Sequence, residues 1–114
     1  MKFVVLVTMS IANTYTALHF IKATFKKNYE VTLVFFYQEG VLISNNIYNP
    51  TQIEYNIQIE WQKLEKKHNL NLLVCTSSAI RRGIFLNNLR IGFHLGTIGS
   101  FVGACDIANK LIRF

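Results

Sequence analysis

In Leu72-Leu73-Val74-Cys75-Thr76-Ser77-Ser78-Ala79-Ile80-Arg81-Arg82-Gly83 an apolar run passes without a break into a helix-like turn. The run carries no polar alternation, which is the pattern of a strand covered on both faces. The turn closes on glycine, a common residue after a helix C-terminus. A strand that feeds directly into a helix is half of a βαβ unit, and the rest of the chain can be read as repeats of it.

Upstream, Met1 to Thr8 is a β-branched apolar strand, and Met9-Ser10-Ile11-Ala12-Asn13-Thr14 turns the chain. From Tyr15 to Lys27 apolar residues recur at Leu18, Ile21 and Phe25, with Ala17 and Phe20 beside them, which is helical spacing. Glu30 to Phe36 resumes strand chemistry. The polar stretch Tyr37 to Asn49, with Gly40 and several asparagines, reads as a loop long enough to carry function. Asn49-Pro50-Thr51-Gln52 has the residues of a helix start: Asn as N-cap, Pro at the first helical position and Gln able to reach back. Ile53, Ile57, Trp61 and Leu64 then form an apolar stripe opposed by Glu54, Gln58, Gln62 and Lys66.

The third strand covers Asn69 to Cys75. Downstream, Leu89 to Leu95 predicts a fourth strand ending at Gly96, Ile98 to Ala108 a small-residue helix, and Lys110 to Phe114 a last strand. Five strands interleaved with helices predict an α/β three-layer sandwich with a mostly parallel sheet and helices on both faces. The order expected for it is 2-1-3-4-5, as in flavodoxin-like folds. Residues 1–114 are expected to form a single domain, with no repeats or linkers.

Of the 114 residues, 51% are hydrophobic and only 16% charged, an apolar balance expected of an oligomer subunit. No apolar run approaches the roughly 18–20 residues of a membrane span, and the opening apolar run is too short for a signal-peptide core, so a cytoplasmic protein away from membranes is expected. Two cysteines, Cys75 and Cys105, make no secreted-type framework. The formal charge of +6 comes from dispersed residues. Lys22, Lys26 and Lys27 close one helical segment and Lys63, Lys66 and Lys67 another, where cations complement the helix C-terminal dipole. No RNA-binding motif accompanies them, so direct nucleic-acid binding is not expected. His19, His68 and His94 lack ligand spacing, and no metal is expected.

Cys75 is the candidate catalytic residue. Unpaired N–H groups of a first helical turn favour anions, so a sulfur placed there is favoured as the nucleophilic thiolate. The plain alternative is a buried, inert strand cysteine. In open parallel sheets active groups gather at carboxyl ends of strands where connections diverge. With the order 2-1-3-4-5, Cys75 would face an open crevice between the exit loops of the first and third strands. Thr76, Ser77, Arg81 and Arg82 are candidates to stabilise its anion, although Ser77 and Ser78 could equally cap the turn. Met9, Ser10, Tyr37 and Glu39 are candidates to line the crevice. Cys105, among Gly103 and Ala104, is expected to pack.

Three stretches carry a resemblance to the DsrE-like sulfurtransferase family: Met1 to Thr8, Val34-Phe35-Phe36-Tyr37-Gln38-Glu39-Gly40-Val41, and Val74-Cys75-Thr76-Ser77-Ser78-Ala79-Ile80-Arg81-Arg82-Gly83-Ile84. Gly92 to Gly96 and Lys110 to Phe114 also look like the family's later strands. The resemblance implies a relay subunit that holds sulfane sulfur as a persulfide on Cys75, with no other cofactor. It implies TusB-like and TusC-like sister subunits in a dimer of heterotrimers, a TusA-like sulfur donor and a TusE-like acceptor. The sulfur would end as the 2-thio group of a tRNA wobble uridine, installed by a separate enzyme. One departure stands out: between Gly83 and Asn88 the chain is shorter than the family pattern by about ten residues. Two other classes stay open, a catalytically silent assembly subunit and a small flavodoxin-like cofactor module. The latter lacks a Gly-rich phosphate cradle at Met9 to Thr14.

Overall fold

The computed structural model describes residues 1–11, 14–46 and 56–114. Strands and helices alternate in the expected sequence: β1 (Lys2–Val7), α1 (Thr14–Lys26), β2 (Glu30–Phe36), α2 (Ile57–His68), β3 (Leu72–Cys75), α3 (Thr76–Arg81), β4 (Phe93–Gly96), α4 (Ile98–Ile107) and β5 (Lys110–Arg113). The architecture is α/β and three-layered around one five-stranded sheet, in which every strand pairing is parallel.

The strand order is β4-β3-β2-β1-β5, which corrects the expected 2-1-3-4-5. β2, not β1, lies beside β3, with Phe36 opposite Val74. The reason lies in how the helices pack. α2 sits beside α1, where the Trp61 indole N–H donates to Thr14 Oγ1 at 3.3 Å and Lys22 Nζ stands 3.5 Å from a Glu60 carboxylate oxygen. Neighbouring helices on one face carry the chain onward by one strand at each crossover, so β3 lands past β2. The last crossover runs backward from edge strand β4 to the far side of β1. A right-handed crossover travelling in that direction places its helix on the other face.

Phe35 and Phe36 show the two faces. Consecutive strand residues point to opposite sides of a sheet. Phe36 meets Trp61 of α2 edge-on at 5.2 Å, whereas Phe35 stacks on Phe101 of α4 at 5.0 Å. The layers are unequal. α1 buries Ala17, Leu18 and Ile21, and α2 buries Ile57, Trp61 and Leu64, each larger side chain contributing about 1.5–3 kcal/mol. α4 buries no residue fully, and its Ile98, Val102 and Ile107 are 48%, 51% and 71% exposed.

The stretch after β2 is not the loop its polarity predicts. Gln38–Ser44 forms a 3-10 segment with Val41 and Ile43 buried. The buried Gln58 side chain pins it by donating to the carbonyls of Ile43 at 2.6 Å and Asn45 at 2.7 Å. Gly40 lies so close to the end of β1 that a Cβ would collide with the Val7 carbonyl oxygen. The expected helix start at Asn49-Pro50 and the stripe residue Ile53 lie outside the described residues. α2 as described is capped by Asn56, whose side chain accepts from the Ile59 N–H at 3.3 Å. β4 begins at Phe93, later than the expected Leu89, because Arg90 is tied elsewhere. Its N–H donates to the Ser44 carbonyl, and its guanidinium donates to Gln58 and Gln62 of α2. No described helix is long and apolar enough to cross a membrane.

Candidate functional site

Cys75 ends β3 and stands in the N-cap position of α3, with its side chain making no capping hydrogen bond. Its strand-register partner is Gly96, the last residue of β4. The chain leaves these two ends in opposite directions. The connection from α3 to β4 runs on the α2 side, as the bonds of Arg90 to Gln58 and Gln62 require. From β4 it enters α4 on the other face. The carboxyl ends of β3 and β4 are thus the place where neighbouring connections diverge, the position at which open α/β sheets bind their ligands. The divergence falls between β3 and β4, which corrects the expected crevice between the first and third strands.

By strand alternation Val74 shares the α2 face with Phe36, so Cys75 points toward the face that carries α4. The thiol is 1% exposed and belongs to the apolar core cluster. It is a buried group in the single chain, not one open at a pocket's mouth.

The residues expected around the sulfur divide into groups. Thr76 is half-buried and donates its hydroxyl to the Gly96 carbonyl at 2.9 Å, tying the β3–α3 corner to β4. Ser77 and Arg81 are exposed. Arg82 is held by Glu39: its Nε and Nη2 lie 2.9 and 2.8 Å from the same carboxylate oxygen, and its Nη1 donates to the Ser78 carbonyl at 3.1 Å. Tyr37 is half-buried, with its ring stacked on Phe35 at 6.2 Å, on the face to which Cys75 points. Met9 and Ser10 are exposed and follow β1, two strands from β3, about 10 Å across the sheet. The structure thus joins Gln38 and Glu39 to α3 and its C-cap, sets Tyr37 on the face to which Cys75 points, and leaves Met9 and Ser10 apart.

Sequence reasoning missed Ser78 and Gln38 as a unit. The buried Ser78 hydroxyl accepts from the Gln38 N–H at 3.1 Å, and Gln38 has a left-handed φ of 52°. The Glu39-Gly40 pair after an apolar strand was the available signal for a special backbone there. Cys105 is partly buried, and desolvation, with the Asp106 carboxylate adding to it, pushes its thiol up from the ordinary value. Among the described residues no group of three or more His, Cys, Asp or Glu side chains is placed to hold a metal ion.

The three-layer frame around this five-stranded parallel sheet is that of a known class. The chain matches the DsrE/DsrF-like family over residues 1–114 and belongs to it. It is 34% identical over 113 residues to a protein named Sulfurtransferase TusD from Buchnera aphidicola subsp. Acyrthosiphon pisum (strain 5A), with 90% of this chain and 88% of that one covered. To the Sulfurtransferase TusD of Salmonella newport (strain SL254) it is 31% identical over 128 residues, with both chains covered in full. Among solved structures, the ychN protein from E. coli superimposes with a TM-score of 0.83 at 21% identity over 100% of both chains. MTH1491 from Methanobacterium thermoautotrophicum, a protein of unknown function, gives 0.74 at 13% identity over 99% of this chain and 97% of its own. These two likenesses show the fold.

Proposed function

We propose that the 114 residues act as one cytoplasmic sulfur-relay domain, a sulfurtransferase that carries sulfane sulfur on Cys75. The observation that carries the reading is full-length similarity to proteins named Sulfurtransferase TusD. The position of a cysteine at the diverging strand ends supports it. In the first step the Cys75 thiolate attacks the terminal sulfur of a donor persulfide. The donor's S–S bond breaks, its own sulfur leaves as thiolate, and Cys75-S-SH forms. An acceptor thiolate then attacks the same terminal sulfur and releases the Cys75 thiolate. Each transfer exchanges one S–S bond for another, so no outside oxidant or cofactor is needed.

The donor in this reading is TusA-like, the acceptor TusE-like, and the final product the 2-thiolated wobble uridine of a tRNA. The uncovered α4 face supports assembly with TusB-like and TusC-like subunits, since exposed apolar patches mark interaction surfaces. The burial of Cys75 favours the second reading, a silent assembly subunit. The flavodoxin-like alternative rested on a shared strand order, which the sheet does not have. The discriminating experiment loads the co-purified complex with labelled persulfide sulfur and maps it by mass spectrometry. The relay predicts label on Cys75 and none after Cys75→Ser with assembly intact. Undiminished loading of the Cys75→Ser complex would assign the sulfur elsewhere.

A further inference from the structure

We propose that the cleft between α1 and α2 docks an acidic segment of a partner protein. The cleft has a volume of about 380 Å³ and lies where the two helices run toward the amino ends of the strands, at the opposite end of the sheet from Cys75. Two rows of lysine border it. Lys22 and Lys26 rise along α1, and Lys63 and Lys67 along α2. Each pair is four residues apart, about 6 Å along its helix. Between the rows the lining is apolar, from the buried Leu64 and from the Phe25 ring, which stacks on His68 at 3.8 Å.

Among the described lining residues Glu60 is the one carboxylate, and it already faces Lys22 at 3.5 Å and Lys63 at 3.1 Å. Lys26 and Lys67 have no ion-pair partner among the described residues. The helix C-terminal dipoles account for a cation in each last turn. They do not account for two rows facing one another across an apolar floor, since like charges at i, i+4 cost each helix a few tenths of a kcal/mol.

The lining favours an acidic peptide over nucleic acid. The four cations are lysines, and among the described lining residues there is no arginine, whose guanidinium plane stacks on bases. One face of the Phe25 ring is already covered by His68, and the rest of the floor is the aliphatic Leu64, which suits an apolar side chain better than a base. A segment with acidic residues flanking an apolar side chain meets both rows and the floor, and its docking leaves the Cys75 end of the sheet uncovered.

The test is fluorescence anisotropy of the full chain with a labelled peptide of sequence Glu-Glu-Leu-Glu-Glu-Leu-Glu-Glu. Binding is expected to weaken at least about tenfold in Lys26→Glu/Lys67→Glu. It should stay unchanged in Lys2→Glu/Lys110→Glu, which alters net charge equally on β1 and β5, and should weaken when the peptide's leucines become serines. If the reversal variant fails to fold by its melting curve, Lys26→Ala/Lys67→Ala replaces it, with a smaller loss expected. No binding by the wild-type chain, equal loss in both charge variants, or tighter capture of an oligouridine at the same lysines would each overturn the proposal.

Discussion

Arg82 and Glu39 are joined through one oxygen: two guanidinium N–H groups converge on Glu39 Oε1 at 2.9 and 2.8 Å, fastening the 3-10 segment after β2 to the end of α3. The pair is part-exposed, so its Coulomb energy is screened, and Glu39→Gln should cost no more than about 1 kcal/mol. Arg82→Gln should cost more, because the bond to the Ser78 carbonyl goes with it. The double variant should cost no more than Arg82→Gln alone. A urea-denaturation double-mutant cycle measures this, and strictly additive costs would show that the two side chains are uncoupled.

Gly40 and Gly103 should respond oppositely to alanine. At Gly40 the added carbon meets the Val7 carbonyl, a backbone atom that cannot step aside, and the expected loss is about 1–3 kcal/mol. At Gly103, inside α4, nothing lies within 4 Å of the new carbon. There the gain should be about 0.5–1 kcal/mol from reduced backbone freedom of the unfolded chain. Chemical denaturation of the two variants decides it, and equal destabilisation would contradict the packing described.

Thr14→Val should destabilise the fold by about 1–3 kcal/mol, since it leaves the buried Trp61 N–H without its acceptor at zero exposure. Thr14→Ser keeps the hydroxyl and should recover most of the loss. Trp61 is the only tryptophan of the chain, so its fluorescence reports the melt directly. Equal melting of the Val variant and the wild type would show that the bond contributes nothing.

Cys105 gives a pH signature. Burial, then the Asp106 carboxylate, raises its thiol in the folded chain. The unfolded chain therefore loses that proton first. The contribution is intact below the ordinary thiol value and is lost as pH climbs from there through the raised folded value. Alkaline unfolding curves of wild type and Cys105→Ser should diverge only in that window. In the native protein, iodoacetamide should label Cys105 with a pH midpoint above that of free cysteine. A midpoint at or below it would refute the shift.

Much of the fold was legible because its carriers are local. The unbroken apolar runs around Val4, Val34 and Leu72 marked buried parallel strands, and the spacing of Ile57, Trp61 and Leu64 marked one helix face. Strand order was not legible. Runs of the same chemistry fit any central position, and what sets β2 beside β3 is the packing of α2 on α1, a relation between residues as distant as Thr14 and Trp61. The 3-10 segment hid behind its asparagines, although Val41-Leu42-Ile43 was an apolar triplet too greasy for a free loop. At the candidate site, Cys75, Glu39 and Arg82 could each be named from the sequence. That Glu39 holds Arg82, 43 residues away, could not, since such a partnership is created only when the strand ends meet.

The pairing of β1 with β5 has a consequence for how the protein is made. Phe3 lies opposite Lys110, and Thr8 donates to the carbonyl of Phe114, a separation of 106 residues, so β1 receives its outer neighbour from a segment made long after it. Until β5 has been made, the nascent chain presents an unprotected ladder of hydrogen-bonding groups along the outer side of β1, a template for pairing with other polypeptides. Deleting β5 would make that transient hazard permanent.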